Sequence, residues 1–106
     1  MDMSSRIAAL KSLLDQEPRN TRMRHMLANE LANAGLTAEA LAEYSSIVHD
    51  DPNYVPGYFQ AGRLAENVGS FDTARDWYQR GLETARRTGD RHAEAEIQDA
   101  LSLLGD

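Results

Sequence analysis

The chain has 106 residues, a mass of 11.8 kDa and a formal net charge of −6, with 42% hydrophobic and 26% charged residues. That is the length of one domain, too apolar for a disordered tail and too acidic for the clustered cations that nucleic acid demands. There is no cysteine, so disulfides, thiolate metal sites and cysteine nucleophiles are excluded, and no apolar run approaches the roughly 18 residues of a membrane span. The N-terminus has no basic segment followed by an apolar stretch, so no signal peptide is read there and a cytoplasmic location is expected.

Six helices are expected in chain order. The first covers 4–17, capped by Ser4 or Ser5, with Ile7, Leu10, Leu13 and Leu14 on one stripe and Pro18 beyond its end. Asn20 caps a second, which buries Leu27, Ala28 and Leu31 and stops at Gly35. Thr37 caps a third, with Ala40, Tyr44, Ile47 and Val48 as its stripe and Pro52 after it. A fourth runs from Val55 to Val68 before Gly69, and a fifth, starting near Ser70 or Asp72, carries Ala74, Tyr78 and Leu82. Asp90 caps the sixth, with Ala93, Ile97, Leu101 and Leu104 along one side. Nothing alternates with a period of two, so a sheet has no support.

The stop signals recur. Pro18 and Pro52 are 34 residues apart, as are Gly35 and Gly69, Asn33 and Asn67, Ala40 and Ala74, and Tyr44 and Tyr78. A helix–turn–helix period of 34 residues is the mark of tetratricopeptide arrays. The chain resembles that family in Tyr58, Ala61-Gly62, Ala65, Gly69, Phe71, Ala74, Tyr78 and Leu82 of one repeat. The other repeat matches in Leu27-Ala28, Leu31, Gly35, Ala40, Tyr44 and Pro52.

The fold expected is an all-α helix–turn–helix solenoid, a right-handed superhelix of about six antiparallel helices in one domain over 1–106. It holds a B-type helix at 4–17, complete repeats at 21–54 and 55–88, and a capping A-type helix at 89–104. Arg24 stands where the family has an aromatic, so loose packing is expected there. Arg86 replaces the terminal proline, so the fifth helix can run longer. Gly81 and Ala65 are small enough to let neighbouring helices approach closely.

No set of reactive residues points to catalysis, and no cofactor or metal is expected. His49-Asp50-Asp51 reads as a solvated helix end. Ser45-Ser46 has no strained turn to expose a nucleophile. Gly57, Gly62 and Gly69 form no phosphate loop. Arg86-Arg87 suits the negative end of a helix dipole. Trp77 lies off the main stripe, and packing against the sixth helix is expected.

The resemblance implies a concave face lined by A helices that binds peptides. On the second helix this face carries Arg22, His25, Met26, Asn29 and Asn33; on the fourth, Pro56, Phe59, Gln60, Arg63 and Asn67; the sixth adds Ala93, Ile97 and Leu101. Amides suit a peptide backbone, arginines suit carboxylates, and Phe59, expected to be exposed, suits an apolar anchor. Members of the family that clamp a C-terminal carboxylate do so at positions matching His25, Asn29, Gln60, Asp90 and Glu94. Only Asn29 agrees, and Asp90 and Glu94 have the wrong charge, so such tails are not expected to bind. The function implied is a protein-interaction scaffold for a protein or peptide partner, monomeric or weakly oligomeric. A self-association module, or an accessory domain of a larger protein, is the alternative.

Overall fold

The computed structural model describes residues 2–105 and is all helical among them. It contains α1 (Met3–Gln16), α2 (Thr21–Asn33), α3 (Thr37–Asp50), α4 (Val55–Asn67), α5 (Phe71–Thr88) and α6 (Arg91–Leu104). The chain gathers into two compact units, Met1–Asp51 with α1–α3 and Pro52–Asp106 with α4–α6.

In the first unit α2 packs against both α1 and α3. The core is Leu14, Leu27, Ala28, Leu31, Ala40, Tyr44, Ile47 and Val48. The cap of α1 is Asp2, whose Oδ1 accepts from Ser5 N–H at 2.8 Å, so Ser4 and Ser5 belong to the first turn and not to the cap. Asn20 caps α2 as expected, accepting from Met23 N–H at 3.0 Å. Leu13 departs from its predicted stripe and is 44% exposed, whereas Ile47, one period later, is buried.

The turn from α2 to α3 is a tight glycine reversal. Gly35, at φ +79°, donates to Ala32 O and Leu36 donates to Leu31 O, which satisfies the carbonyls orphaned at the helix end. α3 starts directly afterwards, so its cap position is Leu36, without a side-chain bond, and Thr37 is already helical. Gly69 repeats the arrangement between α4 and α5, with φ +80° and bonds to Glu66 O and, through Ser70, to Ala65 O.

The second unit packs α4 on α5 and α5 on α6 around Val55, Ala65, Ala74, Tyr78, Ala85 and Ile97. The fifth helix is 18 residues long against 14 for α3, as the missing proline allows. Arg86 and Arg87 do more than face a helix dipole: Arg86 Nε meets Glu94 Oε2 at 3.0 Å and Arg87 donates to Asn53 Oδ1 at 2.8 Å. Close approach also holds: a Cβ on Gly81 would lie 2.9 Å from Tyr58 Cβ and 3.1 Å from Ile97 Cδ1.

The period is carried by contacts as well as by helices. Tyr58 Oη donates to Pro52 O at 2.9 Å, and Arg24, one period earlier, donates to Pro18 O at 2.7 Å. Arg24 also pairs with Glu43 at 2.7 Å, so its position is bonded, not loose. Glu43 plus one period is Trp77, and Trp77 packs against Tyr58 with ring centroids 6.2 Å apart. An ion pair in one unit thus stands where an aromatic pair stands in the other. The same shift relates His25 on Tyr44 (5.6 Å) to Phe59 on Tyr78 (6.0 Å).

Candidate functional site

The residues expected on the binding face fall into two clusters, one in each unit. In the second unit, Phe59, Gln60 and Arg63 of α4 face Asp90, His92, Ala93 and Glu96 at the start of α6, with Val55 and Pro56 below them, around a cleft of about 380 Å³. Helical spacing explains the set: positions 56, 59, 60 and 63 lie on one face of α4. Pro56 sits in the first turn, where its missing N–H costs nothing.

Phe59 is half-buried, not freely exposed as expected. It packs against the core and meets Tyr78 at a tilt of 43°, and the Arg63 guanidinium lies 5.8 Å from its centroid. A phenyl ring with two such neighbours offers a positioned apolar surface. Tyr78 is itself anchored, donating to Glu66 Oε1 at 2.7 Å; burial, reinforced by that bond and by the carboxylate's charge, pushes its phenol well above the usual range.

On α6, Ile97 lines the cleft from its core side at 0% exposure, and Leu101 packs against the same core. What α6 presents is polar. Asp90 Oδ1 accepts from Ala93 N–H at 3.1 Å and caps the helix, and Glu96 Oε1 meets His92 Nε2 at 3.0 Å. The spacing of Asp90, Ala93 and Glu96, three residues each, puts them on one helical face; that signal was present in the sequence but masked by the apolar stripe beside it. Trp77 is buried, with Tyr58 of α4 as a ring neighbour and the Arg80 guanidinium 4.7 Å from its centroid.

In the first unit, Met26 and Asn29 of α2 line a shallower cleft with Arg6, Ala9 and Leu10 of α1 and with Glu30, which pairs with Arg6 at 3.2 Å. Met26 is 53% exposed. Asn29 Oδ1 accepts from Tyr44 Oη at 2.7 Å. His25 is half-buried edge-on against Tyr44, and desolvation lowers its pKa. Arg22 and Asn33 are exposed on α2 and Asn67 is exposed on α4, outside these two clefts.

Of the positions matching a carboxylate clamp, Asn29 is engaged by Tyr44, Asp90 by the α6 cap and Glu94 by Arg86. Among the described residues no three His, Asp or Glu side chains gather as metal ligands, and no helix is long and apolar enough to cross a membrane.

No protein-family profile matches the chain. A TPR repeat-containing protein of Pseudomonas aeruginosa is 30% identical over 98 residues, 92% of this chain and 93% of that protein. Among solved structures, a tetratricopeptide repeat domain protein from Salinibacter ruber is 34% identical and superposes with a TM-score of 0.76, covering 83% of this chain and 89% of that one. PcrH, solved in complex with the chaperone binding region of PopD, shares the fold at a TM-score of 0.84 and 18% identity, over 96% of this chain and 77% of that one.

Proposed function

The chain belongs to the tetratricopeptide repeat family, and from that premise we propose that it is a non-catalytic interaction module that binds a peptide segment of a protein partner on the concave face of its A helices. The observation that carries this reading is the cleft at α4 and α6, where the Phe59 ring, in contact with Tyr78 and Arg63, is bordered by an amide and by charged groups. An apolar anchor flanked by hydrogen-bonding side chains is how helical grooves hold a segment. PcrH, with the same fold, is solved with a segment of another protein, which supports the reading.

The occupied clamp positions argue against a C-terminal carboxylate as the ligand, since Glu94 is paired with Arg86 and a tail would meet Asp90 with like charge. The partner is a protein, with no nucleic acid, membrane or cofactor required, and the expected location is cytoplasmic.

Backbone amide shifts test the site. A peptide selected by display against the protein should perturb Phe59, Gln60, Ala93 and Glu96. Perturbations confined to α3 or α5, or a failure to select any binder, would refute it. The second reading, self-association, is favoured by Leu103, which is 86% exposed in the last turn of α6.

A further inference from the structure

The cleft at α4 and α6 has walls of unlike charge. Its floor is apolar, made by Val55, Pro56, Ala93 and the Phe59 ring. Arg63 stands on the α4 side. Asp90, His92 and Glu96 stand on the α6 side. The Ala93 N–H on Asp90 is a neutral donor. His92 Nε2 lies 3.0 Å from Glu96 Oε1, with the imidazole 88% exposed, and half of the Glu96 side chain is open to solvent. Glu94 is a different case, because Arg86 matches its charge. The cleft is therefore lined by two carboxylates, one guanidinium and the exposed His92 imidazole, and the guanidinium already lies against the Phe59 ring.

An apolar side chain seated on this floor would expel water from beside the two carboxylates. Their attraction for a cation would strengthen, and the cost of leaving them without one would rise. We infer that the cleft takes an apolar side chain from a partner segment that carries a lysine or arginine beside it, the cation lying against Asp90 and Glu96. This rests on the peptide-binding reading above and adds the charge of the ligand to it. The apolar floor makes the site; the carboxylates select which segments enter it. The same wall repels a segment with glutamate or aspartate at that place.

Three synthetic peptides, acetylated and amidated so that no terminal charge intervenes, test the inference. Each is built around a display-selected binder, keeps its apolar anchor, and carries lysine, glutamine or glutamate two residues from it. Fluorescence anisotropy at low salt should rank them lysine, glutamine, glutamate, with steps of about three- to fivefold, the scale of a solvent-accessible ion pair. The spread should shrink as salt is raised. Asp90→Asn, which keeps a capping side chain, and Glu96→Gln should each lower the ratio of lysine-peptide to glutamine-peptide affinity by about three- to fivefold. Equal affinities, or a preference for glutamate, would overturn the charge selection while leaving peptide binding intact. Binding by none of the three, or binding whose amide-shift changes avoid α4 and α6, would overturn the peptide-binding reading and this inference with it.

Discussion

The Arg24 guanidinium is tied to Glu43 and to the Pro18 carbonyl, while its Nε is buried without a hydrogen-bond partner. Both side chains of the pair are mostly buried, at 19% and 23% exposure, so removing one strands the other. Arg24→Ala should lower stability by about 1–3 kcal/mol in urea unfolding, less than for a fully buried pair because some solvent still reaches Glu43. The double change Arg24→Tyr with Glu43→Trp, copying Tyr58 and Trp77, should recover most of that loss, because well-packed apolar groups can replace such a pair. His25 gives a pH signature. Its pKa is lowered by desolvation, so the folded state resists protonation. Stability from this source is present above the usual histidine pKa of 6.5 and is lost as pH falls below it. His25→Phe, the residue found one period later, should flatten the fall in melting temperature between about pH 7 and pH 5. Tyr78 has the opposite sign. Its phenol is held neutral by burial first and by Glu66 second, so its contribution is intact below the usual tyrosine pKa of 10.0 and is lost as pH climbs above it. Tyr78→Phe should lose less stability than the wild type on raising the pH past that point, as followed by circular dichroism.

At the scale of elements, the spacing of helices is set by very small residues. A Cβ on Gly62 would come within 2.5 Å of Cδ1 and Cε1 of the fully buried Tyr78 ring. Alanine there gains up to about 1 kcal/mol of helix propensity. The overpacked contact outweighs it, and Gly62→Ala should be destabilising by about 1–2 kcal/mol in thermal unfolding. Ala28 holds the same place in the first unit and is accommodated, so α4 and α5 approach more closely around their tyrosine than α2 and α3 do around theirs. The helices themselves were legible, because Gly35, Gly69, Pro18 and Pro52 mark their ends and the stripe residues recur at the same shift. The contacts between Arg24 and Glu43, and between Tyr58 and Trp77, were not legible. Nineteen residues separate each pair, and neither an arginine nor a tryptophan off the main stripe announces what it faces. The α4 side of the cleft was legible from its polar face, whereas Asp90 and Glu96 were hidden beside the apolar stripe that buries Ile97.

For the molecule as a whole, stability in repeat proteins is close to a sum of local terms, since each helix pair touches only its neighbours. Two compact units, each with its own buried tyrosine and its own glycine turn, fit that description. The net charge of −6 opposes contact between copies at low ionic strength. Light scattering should therefore give the monomer mass of 11.8 kDa at low salt. A mass that grows with concentration and collapses on Leu103→Glu would instead make self-association through the end of α6 the main activity.

Trp77 is the one tryptophan of the chain, and it lies in the second unit, shielded by Tyr58 and Arg80. Its emission therefore reports on half of the molecule, while ellipticity at 222 nm, roughly the helical band, averages all six helices. The protein carries its own probe of cooperativity: a red shift in fluorescence that tracks the ellipticity through denaturation marks one concerted transition, and a red shift that lags or leads it times the loss of Pro52–Asp106 separately from that of Met1–Asp51.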